Sequence, residues 1–273
     1  MTTPQTPDLA TIKGRQQKAW SSGDYGKVGV TLLIMAEQLV EAADLQPRHR
    51  VLDVASGNGN AALAAARRFC RVVGVDDPEL LESARRRAEA EGLEVVFLKG
   101  AAEDLPFPDG SFDVVLSACE AMSAPAQEGM VGELLRVCRP GGRIGLVSWT
   151  PDGYLGHLFS ALGRHLLASA AGKVPILCGT KEQLRELFGP EVAITAPRRS
   201  FLWRFPSAEH QVEFFVNFHA PTVNALQALG PDGASALKAE LLDVARRFDV
   251  SEDDTLVLRL DYLEVVVRKP AWL

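Results

Sequence analysis

The chain has 273 residues, 47% of them hydrophobic and 23% charged, with a formal net charge of −6. That length and balance suit a soluble globular protein made of one large domain, or of a domain with a cap. The acidic balance argues against broad binding to nucleic acid, and no apolar run reaches the ~18–20 residues that span a bilayer.

The first residues, MTTPQTPDLATIK, have neither the basic start nor the apolar core of a secretion signal, so a cytoplasmic location is expected. Cys70, Cys119, Cys138 and Cys178 are widely spaced, with no C-x-x-C and no paired histidines. They read as free thiols in a reducing compartment and not as a metal site. From Thr11 the pattern is helical. It is interrupted at Trp20–Tyr25 and resumes as a second helix over about 28–43.

Val51-Leu52-Asp53-Val54-Ala55-Ser56-Gly57-Asn58-Gly59-Asn60 then runs from an apolar strand into a small-residue turn, and Ala61–Ala66 is a strong helix former. Such a turn presents backbone N–H groups and a helix N-terminus to a ligand, or simply joins strand to helix. A strand ending at Asp76, 19 positions after Gly57, places a second acid where nucleoside-binding folds take the ribose hydroxyls. A strand-end acid also caps helices, and Asp77, followed by Pro78, can take that job while Asp76 takes the other.

The alternation continues. A helix is expected over 78–91, strands over 94–98 and 112–117, a helix over 126–138 that includes Cys138, and a strand over 143–149 after the Pro140-Gly141-Gly142 turn. Asp53, Asp76 and Ser117 then all stand at carboxyl ends of strands, where parallel sheets bind ligands. Helices are expected over 155–171 and 180–188, a strand over 192–204, helices over 207–218, 221–229 and 233–248, and a closing strand over 262–268.

Four segments, VLDVASGNGN, VVGVDDPELLESARRRA, AAEDLPFPDGSFDVVLS and LLRVCRPGGRIGLVSW, together resemble the class I S-adenosylmethionine (SAM) dependent methyltransferases. The likeness is closest to the small-molecule branch of the ubiquinone- and menaquinone-biosynthesis enzymes. It implies an α/β fold: a Rossmann-like, seven-stranded, mostly parallel sheet with helices on both faces and an antiparallel last strand. It also implies a helical lid (1–45), a SAM-binding core (46–150), and the remaining strands with a helical substrate cap (151–273).

The resemblance implies that the Asp53–Asn60 turn holds the methionine part of SAM, Asp76 the ribose, and the Ala101–Glu103 segment the adenine. The cofactor set expected is Tyr25, Asp53, Ala55, Ser56, Gly57, Asn60, Asp76, Asp77, Ala101, Ala102, Glu103 and Ser117. Two positions depart from the family pattern. Ala55 stands where a glycine is usual, and Ala101 stands where many relatives carry an acid. Trp20 and Tyr25 are either pocket walls or residues that pack the helix on the sheet.

Methyl transfer from a sulfonium needs proximity and dryness more than a fixed catalytic group. Glu120, His157 and His219 are the candidate acid–base residues near the acceptor. Phe214, Phe215 and Phe218 line either an apolar pocket or the buried face of one helix. The function expected is transfer of a methyl group to oxygen, nitrogen or activated carbon of a small acceptor, leaving S-adenosyl-L-homocysteine, by a monomer or homodimer. The alternatives are a nicotinamide-dependent oxidoreductase or a SAM-fold binding protein without turnover.

Overall fold

The computed structural model describes residues 25–118, 127–168 and 179–273. The first helix α1 (Tyr25–Gly29) passes through a 3₁₀ turn (Val30–Leu32) into α2 (Leu33–Ala42). Then follow β1 (Arg50–Val54), α3 (Asn60–Ala66), β2 (Arg71–Asp76), α4 (Pro78–Glu91), β3 (Val95–Lys99) and β4 (Phe112–Ala118). The chain continues through α5 (Gln127–Val137), β5 (Cys138–Trp149), α6 (Tyr154–Ala168), α7 (Lys181–Phe188), β6 (Ala193–Thr195) and β7 (Arg198–Phe205). It closes with α8 (Ala208–Phe218), α9 (Ala220–Ala228), α10 (Pro231–Arg247) and β8 (Leu256–Arg268).

The strands form one sheet in the order β3-β2-β1-β4-β5-β8-β6, with β7 also pairing β8. Strands β1 to β5 are parallel, and β8 is antiparallel to β5, β6 and β7. The sheet has eight strands where seven are expected, because the sixth is split. Thr195 faces Val266, and Arg198 faces Leu263 three residues further along both strands, so β6 and β7 keep one register. Pro197, which lacks an N–H, lies in the break.

β1 lies between β2 and β4, and Val51–Val54 are buried on both faces, as a run of apolar residues in a parallel sheet requires. Apolar side chains alternate between two cores. One holds Val51, Val114 and Leu116 against α2, α3 and the helices after β5; the other holds Leu52, Val54 and Val115 against α5 and α7. Ala61–Ala66 of α3 are all buried, and their small side chains let that helix lie close to the sheet.

Two boundaries differ from expectation. Cys138 begins β5 and does not end the preceding helix; Phe112 faces Cys138 and Val114 faces Arg143, so Arg139–Gly142 form a bulge inside the strand. β8 starts at Leu256, before the expected 262. Tyr262 faces Trp149 at the end of β5, and β8 extends beyond it, paired with β7 as far as Leu256 opposite Phe205. Those six residues carry the ribbon about 20 Å past the carboxyl ends of the parallel strands. α6, α8, α9 and α10 pack on one another, and α6, α8 and α10 pack on this ribbon. Among the described residues no helix is long and apolar enough to cross a membrane.

Candidate functional site

The β1–α3 turn is braced from beneath by Asp53, which is only 1% exposed. Its Oδ2 accepts from the Ser56 hydroxyl (2.7 Å) and from the Ala62 N–H (2.9 Å). Asp53 thus caps α3, whose own N-cap, Gly59, has no side chain to do so. Its Oδ1 has no partner among the described residues. Burial pushes the Asp53 carboxyl up to about 7, with the charge of Asp76 adding to the effect and the two hydrogen bonds opposing it.

The turn needs left-handed backbone at Ala55 (φ 54°), Gly57 (φ 52°) and Gly59 (φ 82°). A Cβ on Gly59 would come within 2.9 Å of the Ala84 Cβ, so glycine there serves both conformation and packing. Ala55 holds the same unfavourable region with a methyl group attached.

Asp76 closes the site from β2. Its Oδ2 accepts from the Gly57 N–H (2.8 Å) and its Oδ1 from the Asp77 N–H (2.7 Å). The side chain is half-buried, and burial pushes it up to about 6 against those two N–H groups. Lone pairs remain on both oxygens for further donors. Asp77 takes the other job: its Oδ1 accepts from Glu79 N–H (3.1 Å) as the N-cap of α4. The loop after β3 joins the same edge, with Gly100 N–H donating to the Asp76 carbonyl (3.3 Å). Ala101 is exposed, and Ala102 and Glu103 are half-buried, Glu103 over Gly129 of α5. Ser117, at the end of β4, is buried, and its Oγ has no partner among the described residues.

No motif in the chain marks the way α1 is held. Asn60 Nδ2 donates to the Gly29 carbonyl (2.8 Å), and Asn60 Oδ1 accepts from Arg87 (2.8 Å), which also donates to the Asn58 carbonyl (2.6 Å). Asn60 therefore acts through its side chain as a latch between α1 and α4. A Cβ on Gly29 would collide with the Asn58 amide, which is 2% exposed and whose Nδ2 has no partner among the described residues. On its other side α1 places Lys27 over the Phe218 ring at 4.2 Å. α1 thus spans from the glycine turn to α8. Tyr25 opens α1, its side chain lying outside what is described.

The described acid–base candidates, His157 and His219, meet different partners. Glu120, like Trp20, lies outside the described residues. His157 is on α6, with Nδ1 3.3 Å from an Arg247 nitrogen and its ring 4.9 Å from Phe248. His219 joins α8 to α9 and is 6% exposed. Its Nδ1 meets Thr222 Oγ1 at 2.8 Å, and its ring stacks on Phe215 at 4.5 Å. Burial pushes its imidazole down to about 3, so it is neutral near pH 7. Phe215 is buried, while Phe214 and Phe218 meet edge-to-face at 5.2 Å on the half-buried side of α8. Among the described residues no group of three or more His, Cys, Asp or Glu could hold a metal ion.

A model of the methyltransferase domain family matches residues 51–142, from β1 to the bulge of β5. An uncharacterized protein of Mycobacterium tuberculosis is 34% identical over 260 residues, covering 93% of each chain. Demethylmenaquinone methyltransferase of Thermus thermophilus is 47% identical over 105 residues, 37% of this chain and 48% of that protein. The chain belongs to the class I SAM-dependent methyltransferases. Solved structures share the fold of this methyltransferase. The YcgJ protein of Bacillus subtilis matches with a TM-score of 0.61 over 86% of this chain and 98% of its own, at 21% identity. A putative methyltransferase of Bacillus halodurans matches with 0.58 over the same shares, at 23% identity. The family match covers the strand-turn-helix units of the sheet and stops before the helical layer.

Proposed function

We propose that this methyltransferase transfers the SAM methyl group to oxygen, nitrogen or activated carbon of a small organic acceptor, at the carboxyl edge of β1, β2 and β4. The observation that carries the reading is the Gly57 N–H on the Asp76 carboxylate at 2.8 Å. It joins a turn of open backbone to an acid at one point of the sheet edge. The donor set suits a cationic nucleoside: a half-buried carboxylate with spare lone pairs, a buried carboxylate whose Oδ1 has no partner among the described residues, and a Ser117 hydroxyl likewise without one.

In this reading Asp76 accepts the ribose hydroxyls, the Asp53–Asn60 turn holds the methionine part, and Ala101–Glu103 border the adenine. Asp77 and the Asn60 side chain act from behind, one capping α4 and the other latching α1. When bound, SAM supplies a methyl carbon whose C–S pair stays on sulfur as the acceptor forms its new bond and gives up a proton. The chain's own part is to align the acceptor and exclude water. α1 serves as the lid, and the helical layer on the β7–β8 ribbon serves as the acceptor cap.

His219 is an uncharged, weakly basic imidazole near pH 7 and its Nδ1 meets the Thr222 hydroxyl, which favours a positioning role over a charged one. Titration calorimetry with SAM, S-adenosylhomocysteine and NAD tests the reading. Heat from the first two and none from NAD is expected. Heat from NAD alone would turn the assignment toward the oxidoreductase, and cofactor binding without turnover of any screened acceptor would turn it toward a binding protein.

A further inference from the structure

Arg87 on α4 forms no ion pair among the described residues. It is half-buried, and burial pushes its guanidinium below the ordinary value. Glu91, one turn further along α4, acts on it but is bound by Arg67 through two hydrogen bonds. The partners Arg87 does have are neutral, and both lie in the glycine turn. Its Nη1 donates to the Asn58 carbonyl (2.6 Å) and to Asn60 Oδ1 (2.8 Å). Partial burial costs a cation some hydration, and here the return is a fixed geometry at two points of the turn.

Both points decide the shape of the turn. The peptide unit between Asn58 and Gly59 is held at its two ends: Arg87 takes its carbonyl, and its N–H donates to the Ser56 carbonyl (2.8 Å). That unit leads into the positive φ of Gly59, in a turn that already carries positive φ at Ala55 and Gly57. Such backbone persists where its surroundings hold it in place. The second bond sorts the Asn60 amide. Arg87 can only donate and the Gly29 carbonyl can only accept, so Oδ1 must face Arg87 and Nδ2 must face Gly29. The charge of Arg87 polarises that amide and strengthens its hold on α1. Gly29 in turn leaves room for the buried Asn58 amide, which a Cβ there would strike. One guanidinium thereby joins α4, the turn and α1.

Resting on the methyltransferase reading, we propose that Arg87 is a positioning residue for the amino-acid end of SAM. It acts through the Asn58 carbonyl and the Asn60 amide, which it holds in the arrangement that receives that end. The nucleoside end is assigned to Asp76 and the loop after β3, with which Arg87 shares no hydrogen bond. A turn that kept its arrangement a tenth of the time would bind the amino-acid end about tenfold more weakly.

Calorimetry on the full chain tests this with S-adenosylhomocysteine and with 5′-methylthioadenosine, which keeps the nucleoside and sulfur but lacks the amino-acid end. Arg87→Met is expected to weaken S-adenosylhomocysteine about tenfold and to leave 5′-methylthioadenosine within about twofold. Arg87→Lys returns a charged donor on a shorter side chain. It is expected to lose only about two- to fivefold, again for S-adenosylhomocysteine alone, and serves if the methionine variant does not fold. Hydrogen exchange without ligand gives a second readout: amides over 25–32 and 56–62 should exchange faster in Arg87→Met, with β4 and β5 unchanged. Undiminished S-adenosylhomocysteine affinity in a folded Arg87→Met, or an equal loss for both ligands, overturns the proposal. If 5′-methylthioadenosine binds too weakly to read, exchange decides: faster exchange confined to those two segments supports the proposal, and unchanged exchange overturns it. Failure of the unsubstituted chain to bind S-adenosylhomocysteine removes the methyltransferase reading first, and the exchange experiment still judges the tether.

Discussion

Around the glycine turn, the groups that fix the two carboxylates are main-chain N–H groups and the Ser56 hydroxyl. In the helical layer the corresponding work is done by side chains from separate elements: Trp203 from β7, Phe215 and Gln211 from α8, Tyr154 and Phe159 from α6. The first region holds charge at about the edge of ionisation; the second holds a neutral imidazole and buried neutral polar side chains. Main-chain geometry suits a ligand that does not vary, whereas a wall of side chains can be altered residue by residue. Such a division suits one fixed cofactor and one changeable acceptor.

Changes at the turn should separate the two regions most sharply. Gly59→Val meets both the positive φ and the Ala84 contact, and is expected to lower stability by about 3 kcal/mol in urea denaturation and to abolish SAM binding. Asp76→Ala is expected to weaken SAM binding by about 1–3 kcal/mol through lost charged hydrogen bonds, read by calorimetry. Unchanged affinity would remove Asp76 from the site.

The regions should also answer pH with opposite signs. Asp53 and Asp76, raised from 3.8 to about 7 and about 6, bind a proton more tightly folded than unfolded. Their contribution to stability is full below the unfolded value and is lost as pH rises through 6 to 7. His219, lowered from 6.5 to about 3, contributes fully above its unfolded value, and that contribution is lost as pH falls toward 3. Urea denaturation across pH 4–8 should therefore show a smaller loss above pH 5 in Asp53→Asn, and a smaller loss below pH 6 in His219→Phe. The same slope change in both variants would contradict the contrast. A cationic cofactor favours the ionised acids, so SAM affinity should fall by on the order of tenfold per pH unit below pH 6, with proton release on binding.

The smallest effect is expected at Ala55. Glycine there relieves left-handed strain at some cost in chain entropy, for a net gain of about 0.5–1 kcal/mol, read as a small rise in Tm.

Much of the first region was legible because its chemistry is local. Strand, turn and acid are consecutive in the chain, and the 19-residue spacing from Gly57 to Asp76 survives as a hydrogen bond. That Asp77 caps α4 also followed from Pro78, which marks a helix start. Asn60 was less legible. Its place in the motif suggests a ligand contact, but its amide is taken by Gly29 and Arg87, which are distant in the sequence. The helical layer was least legible. Nothing in the order of residues tells that Trp203 and Phe215 meet, or that Gln211 faces Tyr154, since each contact depends on how far β8 runs past β5. The split at Pro197 has no mark in the pattern because Arg198, Arg199 and Ser200 are all exposed, and alternation begins only near Trp203.

That proline has a further consequence at the rim of the sheet. β6 and β7 form the outermost strand on this side, and at Pro197, whose carbonyl accepts from the Glu264 N–H of β8, the missing N–H interrupts the ladder between them. Exposed Arg198 and Arg199 follow, tied to Asp152, Asp261 and Glu264. A neighbouring chain seeking to add a strand there meets two fixed guanidinium groups at the break between β6 and β7. The sheet is thereby kept finite, and the long ribbon that bears the helices is protected against edge-to-edge aggregation.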